Sequence, residues 1–314
     1  MRKAIIISLK GKKLTFLEKK ILNEKKPWGV ILFKRNIKSF KQVKKLINDI
    51  KISAQMKNFP ILIDEEGGTV SRLSKLIKFT NHPQKYFGDN FSKNKKKTKR
   101  LYLEYLRKMT KILSDIGVNI NTVPVLDVLY PYTNKIIGSR SYSKIPTVVN
   151  ALGKLCVKEY KKRKIGTVIK HIPGHGSSLI DSHKKLPIVT KEKNLLIKSD
   201  FKCFQNINSQ FAMTAHILYK KIDKNSCATL SKKIIKNIIR KKIGFKGILI
   251  SDDISMGALS KNIKSNALKA IKAGCNLVLY CAGKSKDSKS LCEILPIIDK
   301  FTLKKTSEFY KFLG

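Results

Sequence analysis

Three of the chain's five histidines, His171, His175 and His183, fall within one fourteen-residue stretch, KHIPGHGSSLIDSH, residues 170–183. The same stretch holds Lys170, Asp181, Gly174 and Gly176, and it carries neither helical nor strand periodicity. Three kinds of chemistry suit such a set. A zinc site from His171, His175, Asp181 and His183 is one, although it has no thiolate and lacks the two-histidine helix of a zinc protease. A polar surface loop is the second. The third is a general acid–base site. Asp181 and His183 are two residues apart, so in an extended loop they point the same way, and in a turn the aspartate reaches the following backbone. Either way the carboxylate can hold the imidazole, which makes a proton donor and acceptor poised near neutral pH. The glycines favour this third reading, because they let the loop fold over a site.

A second source of carboxylates is ISDDISMGAL, residues 250–259. An apolar run ending at Ser251 delivers Asp252, and one carboxylate near a separate acid/base is what retaining glycoside hydrolysis requires. Asp253 is the rival nucleophile. Neighbours on a strand point in opposite directions, so only one of the two should face a shared site.

Eight short apolar runs could position these groups: Ala4–Ser8, Gly29–Phe33, Pro60–Asp64, Val118–Pro124, Gly166–Lys170, Phe211–Ala215, Gly247–Ser251 and Asn276–Tyr280. Most are continuously apolar, as strands buried on both faces must be. Amphipathic stretches separate them. One is capped by Ser39, one runs from Leu101 to Ile116 and ends at Gly117, one is opened by Pro146, and one ends at Gly274. Strands alternating with helices imply parallel βα units, and eight of them predict a closed (β/α)8 barrel of the TIM type in a single domain, residues 1–314. An open doubly wound sheet is the alternative, but no GxGxxG follows the first strand. A barrel presents its chemistry at the C-terminal ends of its strands. Asp64, Glu65 and Glu66, then Asn121 and Asp127, Lys170 and His171, His216, and Asp252 with Asp253 all fall at such ends.

Composition bounds the partners. Against 67 Lys and Arg stand 21 Asp and Glu, a net charge of +46. A basic nucleic-acid-binding protein is therefore an alternative function. The charge is nearly all lysine spread over every segment, with no local arginine and aromatic patch, so a solvated surface and an enzyme are the favoured reading, with no dedicated nucleic-acid partner. The densest run, Lys95 to Arg100, sits at the start of a helix. No apolar run approaches the ~20 residues of a membrane span, and Ala4–Ile7 is too short for a signal-peptide core, so the expectation is a cytoplasmic protein off the membrane. The six cysteines form no CxxC pair and read as reduced core thiols.

Further motifs complete a pattern: GVILFKRN (29–36), IDEEGGTVSRL (63–73), NTVPVLDV (121–128), GSRSYS (138–143), AMTAH (212–216) and AGCNLVLYC (273–281). Together with the two stretches above, they make the chain resemble the single-domain β-N-acetylglucosaminidases of glycoside hydrolase family 3, the bacterial cell-wall recycling type. The resemblance implies a retaining, two-step hydrolase with Asp252 as nucleophile, His183 as acid/base and Asp181 as its dyad partner. It assigns Asp64, Arg72, Arg140, Lys170 and His171 to sugar binding, with His175 and His216 in support. The implied substrate is a β-linked N-acetylglucosamine beside a muramic acid residue, as a disaccharide or a muropeptide. No cofactor or metal is implied, and a monomer is expected. Departures from the family's usual wording are Glu65 and Thr69 where DQEGGRV has Gln and Arg, Ile172 for Phe, and Ser177 after PGHG. Phosphorolysis is a second alternative, because a histidine acid/base does not repel phosphate as a carboxylate would.

Overall fold

A computed structural model of the chain describes residues 1–78 and 82–314. Its strands in chain order are β1 (Lys3–Ser8), β2 (Pro27–Leu32), β3 (Ile61–Ile63), β4 (Ile120–Asn121), β5 (Gly166–Ile172), β6 (Ile188–Val189), β7 (Phe211–Thr214), β8 (Leu218–Tyr219), β9 (Ile248–Asp253) and β10 (Leu277–Tyr280). Eight of them close a parallel barrel in the order β1-β10-β9-β7-β5-β4-β3-β2. These are the eight runs expected from the sequence. Along β1 the side chains alternate: Ala4 and Ile6 join an inner cluster with Trp28, Leu62 and Phe211, while Ile5 and Ile7 join the outer cluster beneath the helices.

Two details differ from expectation. The run Val118–Pro124 pairs regularly only at Ile120 and Asn121. Pro124 has no N–H to donate, and just beyond it Val125 bridges to Lys170 instead. The pair β6–β8 lies outside the barrel, and strands of two residues carry no periodicity to read.

The helix Lys300–Leu313 closes the end of the barrel where the strands begin. Phe309 meets Phe211 edge-on at 5.1 Å, and the Trp28 indole N–H donates to Thr306 Oγ1 at 2.9 Å. Gly166 opens β5 beneath this plug, where an added Cβ would lie 2.9 Å from Phe309 and 3.0 Å from Phe211. With that end filled, the accessible end is the one where the strands finish.

Among the described residues no helix is long and apolar enough to cross a membrane. The helix Lys95–Ile116 is capped by the Asn94 side chain, and Lys95, Lys96, Lys97, Lys99 and Arg100 are all exposed on its first turns. Five cysteines are buried and Cys281 is half-buried.

Candidate active site

The strand ends enclose a cavity of about 210 Å³. Asp64, Arg72, Arg140, Lys170, His171, His183 and Asp252 all line it, with Glu66, His175 and Ser182 beside them. Every sequence-assigned sugar-binding residue is there, as are the candidate nucleophile and acid/base. Asp181 and His216 are the assigned residues outside the lining; Asp181 touches the cavity through His183. A larger cavity of about 650 Å³ lies at the plugged end among Gln210, Gly247, Phe309 and Phe312. Its one carboxylate, Glu308, is bound to Lys305 at 2.7 Å, and it gathers no histidine or aspartate, so the smaller cavity is the candidate site.

Asp252 and Asp253 end β9 and part there, as alternation requires. Asp252 faces the cavity, and its Oδ1 accepts the Asp253 N–H at 2.8 Å. The Asp253 carboxylate turns away to the Ser255 hydroxyl and to the Cys281 N–H at 3.1 Å. The two carboxyls are pushed in opposite directions. Burial raises Asp252, but His216 and His171 nearby outweigh it and hold its pKa below the usual aspartate value. Burial raises Asp253, and the charge of Asp252 adds to the rise. His216 is buried beside them, with Nε2 on the Asp253 carbonyl at 3.0 Å and Nδ1 on Thr229 Oγ1 at 2.7 Å.

The Asp181–His183 pair forms a tight local turn. Asp181 Oδ1 accepts both the His183 backbone N–H and the ring Nδ1, each at 2.9 Å. The backbone and imidazole alternatives open at the sequence level are thus both realised by one oxygen. With Nδ1 engaged, Nε2 is the ring nitrogen left for proton transfer. The imidazole is 58% exposed at the lip of the site. A slight desolvation of Asp181 is outweighed by hydrogen bonds from His183, so its carboxyl lies below the usual range.

Behind the lip lies a buried ionic network. Glu66 takes both prongs of the Arg140 guanidinium at 2.8 and 2.9 Å and the Lys170 ammonium at 2.6 Å. Asp64 takes Arg72 at 2.8 Å, Lys170 at 3.2 Å and the Thr122 hydroxyl. Burial would raise both carboxyls. Arg140 and Lys170 bring Glu66 down to about 2, and Lys170 and Arg72 hold Asp64 well below the aspartate range. His171 donates from Nδ1 to Asp127 Oδ2 at 2.7 Å, and Arg140, which has only donors, points an N–H at Nε2 from 3.4 Å. Lys170 and His171 both face the mouth, and the bond joining them is cis.

Sequence reasoning gave no role to Glu66, Asp127 or Ser182. Glu66 stands inside IDEEGGTVSRL and Asp127 just past the fourth strand, but their partners are 74 and 44 residues distant. The glycines of PGHG also behave otherwise than expected. A Cβ on Gly176 would lie 2.0 Å from the Val128 carbonyl oxygen, so this glycine permits a backbone contact rather than a hinge. The rings of His171 and His175 meet edge-on at 5.7 Å, and His183 lines the same cavity. Among the described residues no group of three or more His, Cys, Asp or Glu could hold a metal ion.

Glu65 yields a test of its own. Its backbone is clamped by Asn121, and its Oε2 accepts the N–H groups of Arg72 and Leu73, both at 2.8 Å. Burial raises its pKa, outweighing the hydrogen bonds from Ser71, Leu73 and Arg72 that would lower it. A folded-state pKa above the unfolded one contributes stability below the unfolded value and loses it as pH rises through the folded value. Glu65→Gln keeps the shape and cannot ionise. Its Tm should therefore gain on the parent as pH rises from 5 to 8. A constant or shrinking difference across that range refutes an ionisable, buried Glu65.

The comparisons with known proteins agree with this geometry. The model of the glycosyl hydrolase family 3 N terminal domain matches residues 6–305. A beta-hexosaminidase from Psychromonas ingrahamii is 31% identical over 98% of this chain and 88% of its own. NagZ from Neisseria gonorrhoeae, solved in complex with N-trifluoroacetyl-D-glucosamine, superposes with a TM-score of 0.87 at 28% identity, over 100% of this chain and 90% of that one. A family 3 beta-N-acetylglucosaminidase from Paenibacillus sp. str. FPU-7 superposes with a TM-score of 0.86 at 25% identity, and the present chain, 98% covered, spans 60% of it. Matched by the family model over residues 6–305 and by a relative of 31% identity over 98% of its length, the chain belongs to glycosyl hydrolase family 3 and is a glycoside hydrolase.

Proposed function

We propose that the protein is a retaining exo-β-N-acetylglucosaminidase of cytoplasmic cell-wall recycling, acting as a monomer from one domain, residues 1–314. The observation that carries the reading is that Asp252 and His183 share one small cavity, with His183 held through Nδ1 by Asp181. In the first step an Asp252 oxygen bonds to the anomeric carbon while the bond to the leaving oxygen breaks. Protonated His183 delivers its proton to that oxygen. In the second step His183 takes a proton from water, the water oxygen bonds to the anomeric carbon, and Asp252 leaves as a carboxylate. Asp64, Arg72, Arg140, Lys170 and His171 bind the terminal sugar. The carboxylate accepts from hydroxyls, and the cations donate to oxygens. The substrate is N-acetylglucosamine β-linked to a muramic acid residue, as a disaccharide or muropeptide.

The test is turnover of p-nitrophenyl β-N-acetylglucosaminide, with the first sugar product followed by NMR. The β-anomer is expected first. An α-anomer, or no turnover, overturns the reading. Sugar 1-phosphate formed in phosphate buffer would replace hydrolysis by phosphorolysis. The surface charge should matter little to this step. Raising salt from 0.1 to 1 M shortens the Debye length from ~10 to ~3 Å, yet buried pairs such as Glu66 with Arg140 are poorly screened. The expected change in kcat/KM on this uncharged substrate is within about threefold. A steeper loss would argue for an anionic partner at the mouth.

A further inference from the structure

We propose that His175 and Ser182 form a tether that positions His183 over the sugar, so that both are positioning residues for proton transfer. This inference rests on His183 being the acid/base. His175 is 2% exposed, and its backbone N–H is fixed by Asp127 Oδ1 at 2.6 Å. Its ring Nε2 lies 3.0 Å from Ser182 Oγ, while Nδ1 is buried with no hydrogen bond among the described residues. The Ser182 hydroxyl can pair with Nε2 as donor or as acceptor, so the bond holds for either tautomer of the ring. Burial also pushes the His175 pKa down to about 4, which keeps the ring neutral and removes it as a rival proton donor.

Ser182 and His183 are stitched on their other side to the segment that follows Asp252. The Ala258 N–H donates to the Ser182 carbonyl and the Gly257 N–H to the His183 carbonyl, both at 3.1 Å. A Cβ at Gly257 would lie 2.6 Å from that His183 oxygen, so the contact requires glycine. The neighbouring loop residues Leu179 and Ile180 are exposed. The imidazole's own partner, Asp181, rides on the same loop, so Asp181 orients the ring within the loop but not the loop over the site. The His175–Ser182 bond does the latter from the barrel side, together with the two backbone bonds from Gly257 and Ala258. Asp127 anchors both this tether and His171, so one buried carboxylate sets the sugar contact and the seat of the acid/base together.

The experiment compares kcat/KM on a β-N-acetylglucosaminyl–muramic acid disaccharide and on the p-nitrophenyl glycoside. Misplacing a catalytic group by about 1 Å costs on the order of 100-fold. Ser182→Ala should therefore lose about 10- to 100-fold on the disaccharide and no more than about threefold on the activated glycoside, which needs little proton assistance. Ser182→Thr, which keeps the hydroxyl, should restore the disaccharide rate. In a His183→Ala background, Ser182→Ala should cost nothing further, since no imidazole remains to be placed. His175→Gln, which keeps an N–H donor, guards against a misfolded core and should be milder than His175→Leu. Equal losses on both substrates for Ser182→Ala, no loss on either, or losses that multiply in the double variant overturn the tether. If His183→Ala itself loses equally on both substrates, the acid/base reading falls and the tether's role falls with it. The same result confined to Ser182→Ala refutes the tether alone.

Discussion

Asp252→Ala should lose about four or more orders of magnitude in kcat, the scale seen when a covalent nucleophile is removed. The reason lies in position and ionisation. Asp252 sits at the end of β9 with its carboxyl in the cavity, and neighbouring His216 and His171 keep it ionised against burial. A neutral carboxyl would be a poor nucleophile at the pH of the reaction. A fluorinated glycosyl donor that accumulates the intermediate should label Asp252, read by peptide mass spectrometry. Small anions such as azide should partly rescue Asp252→Ala and give the α-configured product, because they attack from the emptied side. Asp253 is bound to Ser255 and Cys281 and faces away. A label on Asp253, or full activity in Asp252→Ala, would sink the assignment.

The second large effect belongs to His183, and its signature is the dependence on leaving group. His183→Ala should lose on the order of 10²–10⁴ on the natural disaccharide, the usual worth of general acid–base catalysis. It should lose far less in the first step on p-nitrophenyl β-N-acetylglucosaminide, whose leaving oxygen departs without a proton. Asp181→Ala should show the same pattern more mildly. The ring survives, but it loses the oxygen that holds Nδ1 and the backbone turn at 2.9 Å. Steady-state kcat/KM for both variants on both substrates decides the matter. Equal losses on the two substrates would exclude His183 as proton donor. Tightly bound zinc, activity lost to a chelator and regained with zinc would return the loop to the metal reading.

The amino-acid sequence determined the barrel by itself. Continuous apolar runs of strand length, spaced by amphipathic stretches with caps at Ser39, Gly117 and Gly274, admit few other architectures, and all eight runs became its strands. The strand ends then located the candidate site, because a barrel gathers whatever stands at its C-terminal rim. The Asp181–His183 pair was readable for a different reason: residues two apart make their contact locally, whatever the rest of the chain does. Family resemblance supplied the roles of Asp64, Arg72, Arg140, Lys170 and His171, which spacing alone does not contain. Tertiary structure decided the rest. Spacing leaves Asp252 and Asp253 as rivals and the resemblance names Asp252, but it is the pleat of β9 against its neighbours that turns Asp252 to the cavity. Glu66 and Asp127 acquired meaning only through partners from other strands and loops, and Ser182 through His175, which the turn of their shared loop brings back to it. Gly176 read as freedom and proved to be a close backbone contact with Val128. Local periodicity is set by a residue's own backbone, whereas a buried charge is satisfied by whichever group folding brings within ~3 Å, and that distance is not written along the chain.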